Sequence, residues 1–269
     1  MQTASESGPS HSKLLAVANA TADGFRSPAV AVDSGQARDV GGAVCWYSAS
    51  HVPLFNGAGL FEDHLLSLDT LEAIDAYFTA RQRPYSLVTI DGLVPDAALR
   101  LSDLHYVELD ATPAMWLDND PHNAELSAVN KVVWVCHVQS IEELYAFRTI
   151  LGSVFSIARG EVELILGPRI LDAPHVRHYL GWMGGEPVAT ITLVLAGAVA
   201  GIWNVGTLPS HRRKGVAAQL MRRAISDAAA MGYKSTMLLS SVDGYPLYQR
   251  LGYETLSTVR MFVPSRQAL

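Results

Sequence analysis

A chain of 269 residues is long enough for one large domain or two ordinary ones, and 49% hydrophobic against 17% charged residues describe a core-forming globular protein rather than a disordered one. The formal charge of −6 argues against a general nucleic-acid binder, which needs a basic face. The two cysteines, Cys45 and Cys136, lie in apolar runs without CxxC or Cys/His spacing, so buried free thiols, no metal site and a reducing, cytoplasmic compartment are expected.

Met1 to Ser12 is Ser-rich and polar without the basic-then-apolar order of a signal peptide, and is expected to be a disordered tail. Residues 13 to 26 read as a short helix, and Val40 to Ser48 as a strand. A loop follows through Pro53 and Phe55-Asn56-Gly57-Ala58-Gly59. Asp69-Thr70-Leu71-Glu72 opens a helix with Leu71, Ile74, Tyr77 and Phe78 on one face. A strand from Tyr85 to Ile90, a short helix from Pro95 to about Leu101 and an extended stretch from Tyr106 to Leu117 come next. Asp118 to Asn130 is polar, contains Pro121 and is the expected linker. It divides an N-terminal α/β domain, 13–125, from a C-terminal one, 126–269.

Lys131 to His137 reads as a strand, and Ser140-Ile141-Glu142-Glu143 as a capping box for a helix carrying Leu144, Phe147, Ile150 and Leu151. Ala158 to Ala173 is variable in pattern; Val176 to Met183 is a strand ending at the turn Gly184-Gly185-Glu186. Val188 to Leu208 is nearly uncharged and by length alone could cross a membrane. Its β-branched residues and the small centre Ala196-Gly197-Ala198 point instead to two buried strands joined by a tight turn.

The second strand runs into the turn Ser210-His211-Arg212-Arg213-Lys214-Gly215, and a helix opens there with Val216, Ala217, Leu220, Met221, Ala224, Ile225, Ala228 and Met231 on one face and Gly232 as its stop. A helix start leaves backbone N–H groups unpaired at the positive end of the dipole, so this basic turn is an anion site, most simply for phosphate. Neither a P-loop nor a G-x-G-x-x-G pattern is present. A strand from Ser235 to Leu239, a short helix from Gly244 to Arg250, a strand from Tyr253 to Val263 and a tail complete the chain.

These motifs resemble the GNAT superfamily of acyl-CoA-dependent N-acetyltransferases. The resemblance rests on Val205-Gly206-Thr207, Pro209, the R-x-x-G-x-A turn Arg212 to Ala217, the strand Leu238-Leu239-Ser240-Ser241, and Tyr248-Gln249-Arg250-Leu251-Gly252-Tyr253, and covers roughly residues 130 to 265. It implies an α/β fold with a mixed sheet and splayed central strands. It further implies that acetyl-CoA is the co-substrate, held along Val205, Gly206 and Thr207 and by Arg212, Arg213, Lys214, Gly215, Val216, Ala217 and Ala218, with Ser241 bonding the cofactor or capping the next helix. Tyr248 matches the family's tyrosine that protonates the departing thiolate. Relatives often place a Glu or His where this chain has Gly201 and Trp203, so proton removal goes through water or a residue elsewhere, with Glu161, Glu163, Asp243 and His51 as candidates. Trp46, Phe55, Asn56 and Trp203 are expected around the acceptor.

The resulting expectation is an N-acetyltransferase acting by direct attack of a primary amine. The partners are acetyl-CoA and an amine, with no nucleic acid and no membrane; a homodimer stays open. The competing readings are a non-catalytic acyl-CoA-binding or sensing module, and a phosphate-binding interaction domain. The order of elements in the N-terminal half repeats that of residues 199 to 263, so that half is expected to be a degenerate copy of the same fold. It lacks the basic turn, so no cofactor is expected there.

Overall fold

In a computed structural model, which describes residues 9–30, 35–119 and 132–267, local sequence signals account for most elements. Helix α1 (His11–Val30) is longer than expected and takes in His11 and Ser12 of the anticipated tail. Leu14, Val17, Ala18, Ala20 and Ala22 bury much of its length. The single strand expected at 40–48 is a hairpin, β1 (Gln36–Val40) and β2 (Ala43–Tyr47), because Gly41 and Gly42 turn it at φ +58° and +84°. Part of the expected loop after Pro53 is a strand, β3 (Gly57–Gly59). Only glycine fits at its start, since a Cβ on Gly57 would lie 2.4 Å from the Ser86 carbonyl oxygen. Helix α2 (Leu68–Thr79) is capped by Ser67, whose hydroxyl accepts the Thr70 N–H, rather than by Asp69. Strand β4 (Ser86–Ile90), helix α3 (Ala97–Asp103) and strand β5 (Tyr106–Asp118) follow. Most of the expected linker lies outside the described residues.

Strand β6 (Val133–His137) leads to α4 (Ile141–Phe155), where Ser140 and Glu143 form the capping box. The stretch of variable pattern contains α5 (Arg159–Ile165). The uncharged run forms the end of a hairpin, β7 (Val176–Met183) with β8 (Glu186–Val194), and then β9 (Ala200–Thr207). Among the described residues no helix is long and apolar enough to cross a membrane. Helix α6 (Val216–Ala230) buries its apolar stripe; β10 (Ser235–Leu239), α7 (Tyr245–Arg250) and β11 (Glu254–Pro264) end the fold.

The eleven strands of the described residues join one sheet in the order β1-β2-β3-β4-β11-β5-β10-β9-β8-β7-β6. The order is a palindrome in kind. On each side of its centre lies a parallel pair joined through a helix, β3 with β4 and β9 with β10. The closing strands are exchanged. Strand β5, from the N-terminal half, pairs with β10, and β11, from the C-terminal half, pairs with β4. The two exchanged strands then pair with each other, from Glu254 opposite Trp116 to Pro264 opposite Tyr106. Arg260 fastens the crossing, its guanidinium donating to Asp91 at 2.7 Å and Glu108 at 2.8 Å. The cut at residue 125 therefore divides the sequence but not the sheet, since each half is completed by a strand of the other. Met237, Val259, Met261 and Phe262 accordingly belong to the core of the N-terminal half.

Candidate active site

The parallel ladder between β9 and β10 ends at Ile202 opposite Leu238. Beyond it β10 leans toward β5, where the Ser240 N–H donates to the Pro113 carbonyl at 2.9 Å. Strand β9 instead follows β8, with a register shift between Thr190 and Thr192 and Asn204 at φ +55°. That combination is a β-bulge, which bends the strand and widens the gap. Two side chains hold it: Asn204 Nδ2 donates to Thr192 Oγ1 at 3.0 Å, and Thr190 Oγ1 donates to the Asn204 carbonyl at 2.9 Å. From Trp203 to Thr207 the edge of β9 facing β10 has no ladder partner, and Thr207 Oγ1 is buried without a hydrogen bond among the described residues. A buried hydroxyl left unpaired costs about 1–3 kcal/mol.

The slot opens onto the basic turn. After Pro209–His211, Arg212 Nε donates to the Thr207 carbonyl at 3.2 Å, and Arg213 and Gly215 both take left-handed conformations, φ +60° and +79°. Gly215 is the N-cap of α6, with no side-chain cap and no acid in the first turn, so the N–H groups of Val216, Ala217 and Ala218 face outward. Arg212, Arg213, Lys214 and Gly215 are exposed. Diphosphate chemistry fits such a cradle. The corresponding place in the N-terminal half is built against an anion: Ser67 occupies the helix start, Asp69 lies in its first turn, and Glu62 and Asp63 precede it. There the chain also stays bonded past β3, Leu60 N–H donating to the Val88 carbonyl at 2.8 Å.

Tyr248 lies buried on α7 with its ring against Gly244, where a Cβ would come within 2.7 Å of it. Burial pushes its phenol up to about 12. Ser241 Oγ accepts the Gly244 N–H at 3.2 Å, a capping contact at the start of the same helix. Of the candidate bases, Glu161 is spent: its carboxylate accepts from the Ser50 hydroxyl, the His51 N–H at 3.1 Å and His51 Nδ1 at 3.3 Å. Burial raises its pKa, but these hydrogen bonds outweigh it and leave the group below the usual range. The pair latches the loop after β2 onto α5. Glu163 is tied to Arg159 at 2.8 Å, and Asp243 is exposed in the turn before α7.

Beside the bulge is a cavity of about 300 Å³ walled by both halves, including Phe25, Phe55, Phe155, Trp203, Leu239 and Met261. Phe55 and Trp203, expected around the acceptor, line this cavity. Trp46 and Asn56 do not. Trp46 is fully buried and stacks on Phe25 with ring centroids 4.8 Å apart. Asn56, also fully buried, accepts the Ser48 N–H at 3.0 Å and donates to the carbonyls of Ser50 at 2.8 Å and Pro84 at 3.2 Å, so it braces the loop. Trp203 packs close to two glycines: a Cβ on Gly24 or Gly201 would come within 2.1 Å or 2.5 Å of its indole. Asp110 and Thr112, which also line the cavity, escaped sequence reasoning because β5 reaches the second half only through the strand exchange.

Residues 144–253 match the family model described as the Acetyltransferase (GNAT) family. This segment is a GNAT acetyltransferase domain. Among solved structures, the chain is similar to a GCN5-related N-acetyltransferase from Kribbella flavida, with TM-score 0.71 and 24% identity over 93% of this chain and 94% of that one. A functionally unknown conserved protein from Staphylococcus epidermidis aligns with TM-score 0.62 and 11% identity over 87% and 95%. A GCN5-related N-acetyltransferase from Sphaerobacter thermophilus aligns with TM-score 0.57 and 15% identity over 77% and 72%. No curated protein matches. At these identities the likeness is one of fold, and it extends over both halves. The GNAT domain contains the bulge, the basic turn, α6 and α7, and its match stops just before β11 departs for the other half. The cavity beside the GNAT slot needs walls from outside that segment: Gly24 and Phe25 of α1, the loop at 48–55, and β5.

Proposed function

We propose that the protein is an N-acetyltransferase that moves an acetyl group from acetyl-CoA to a primary amine by direct attack. One observation carries the reading: the open edge of β9 runs straight into an uncapped, basic helix start. GNAT enzymes use acetyl-CoA. The β9 edge from Val205 to Thr207 suits a pantetheine arm laid down as an extra strand. The turn from Arg212 to Ala218 suits the diphosphate, and Ser241 stands at the mouth between β10 and α7.

The amine nitrogen forms a bond to the thioester carbon and the carbon–sulfur bond breaks. An N–H of Val205 or Gly206 receives the developing oxyanion, which is worth most in a site closed to water. The leaving thiolate takes a proton from Tyr248, whose raised pKa keeps the phenol protonated at neutral pH. The nitrogen's extra proton leaves through water, because neither Gly201 nor Trp203 carries a base. The N-terminal half acts as a degenerate copy that lends a strand and a wall of the cavity. That missing base on β9 also favours a second reading, a sensor that binds acyl-CoA without turnover.

Calorimetry with acetyl-CoA and with free CoA, followed by thioester consumption against a panel of amines, separates these. The transferase consumes thioester; the sensor binds without consuming. In Gly215→Asp a carboxylate stands at the diphosphate cradle, and cofactor affinity falls by at least about tenfold. Undiminished affinity in that variant would remove the assignment of the turn.

A further inference from the structure

Strand positions separate the two polar ends of the acceptor cavity. Asn204 lies two residues past Ile202, the last β9 residue paired with β10. Asp110 lies four residues N-terminal to Ala114, which is opposite Leu239 at the end of β10. The two are therefore three residues apart along the sheet and two strands apart across it. At about 3.3 Å per residue and 4.8 Å per strand, that is roughly 14 Å, and the splay adds to it. Between them the wall is apolar, formed by residues such as Phe55, Phe155, Leu166, Leu239, Val259 and Met261.

Asp110 is the one ionisable side chain among the described residues lining this cavity. Its carboxylate accepts the Ala111 N–H at 2.9 Å and the Thr112 hydroxyl at 2.8 Å, which leaves about half of its acceptor capacity open. Among the described residues it has no ion-pair partner. Of the other polar groups of the wall, Ser48 Oγ accepts the Ser50 N–H and Asn204 Nδ2 donates to Thr192, while Trp203 Nε1 is buried without a hydrogen bond among the described residues. A polyhydroxylated amine would lose water along such a wall and find few replacements.

We propose, on the reading of the site given above, that the acceptor is an elongated dication. It presents a primary amine at the bulge, an apolar stem along the cavity, and a second ammonium or guanidinium group seated on Asp110. The separation of the two charges decides which amines fit. The carboxylate stands too far from the bulge to hold the reacting nitrogen, which suits the chemistry, since pairing that nitrogen with a carboxylate would keep it protonated and inert.

The test is calorimetric titration of the CoA-saturated protein with α,ω-diaminooctane, octylamine and glucosamine, repeated in Asp110→Asn. The diamine should bind about fivefold more tightly than octylamine at low salt, as befits a partly exposed ion pair, with the advantage shrinking as salt is added. Asp110→Asn should erase the advantage, and its CoA affinity reports that the variant is folded. Octylamine binding as tightly as the diamine, an advantage that survives Asp110→Asn, or tighter binding of glucosamine than of either would each overturn the proposal. A protein that does not take up CoA at all would instead overturn the functional reading on which it rests.

Discussion

Gly24 sits inside α1, where alanine would ordinarily help by about 0.8–1 kcal/mol. Here a Cβ would lie 2.1 Å from Trp203 Cζ2 and 2.2 Å from Cε2, both in a rigid ring. A Cβ on Gly201 would likewise lie 2.5 Å from the indole Nε1, so the ring is close to two chain segments and has little room to shift. Overpacking of this kind costs about 1–3 kcal/mol. Setting the helix gain against it, Gly24→Ala should destabilise the protein by roughly 1 kcal/mol and by no more than about 2. Urea unfolding followed by tryptophan fluorescence measures this. In a Trp203→Ala background the clash is gone, and the same substitution should stabilise by about 0.8–1 kcal/mol. The sign change is the diagnostic. Equal effects in both backgrounds, or a stabilised single variant, would refute the view that glycine is required to seat the indole. Since Trp203 walls the cavity proposed for the acceptor, Gly24→Ala should also weaken acceptor binding while CoA affinity holds.

Tyr248→Phe should lower turnover by about a hundredfold or more with CoA affinity unchanged, the range expected when a general acid is removed; unaltered kcat would withdraw the acid role. Because burial holds that phenol up to about 12, wild-type turnover should show no loss attributable to it as pH rises from 7 to 10. His178 is buried beneath Phe147, with Nδ1 2.8 Å from Thr192 Oγ1, and burial, reinforced by His137, drives its pKa down to about 3. A depressed folded pKa means that only the unfolded chain takes up this proton as pH falls below about 6.5. Stability present above that pH should therefore decline by up to about 1.4 kcal/mol per pH unit below it. His178→Gln should flatten that slope, and an unchanged slope in denaturation midpoints would exclude His178 as its source.

Several features of the site were legible because they are local. The uncapped glycine turn, the apolar stripe of α6 and the capping box at Ser140 are each written within a few consecutive residues, where backbone conformation and side-chain spacing suffice. The hairpin at Gly41-Gly42 was equally local, and was missed because the run around it reads as one strand. Asn56 and Trp46 misled for a different reason. A polar or aromatic side chain near a loop has the same sequence signature whether it faces a ligand or braces the chain, and only its partners distinguish the two. Asn56 spends its amide on three backbone groups, and Trp46 is stacked out of reach.

The residue types and their spacing were enough to point to an anion cradle, since a helix start without a cap and with three flanking cations attracts an anion in any tertiary setting. The identity of the opposite wall was settled only by folding. Strand β5 crosses to β10 and β11 crosses to β4 through pairings between residues more than a hundred positions apart, and hydrogen-bond ladders between strands carry no mark in the sequence of which partner they will meet. That exchange brings Asp110 to the cavity beside the bulge.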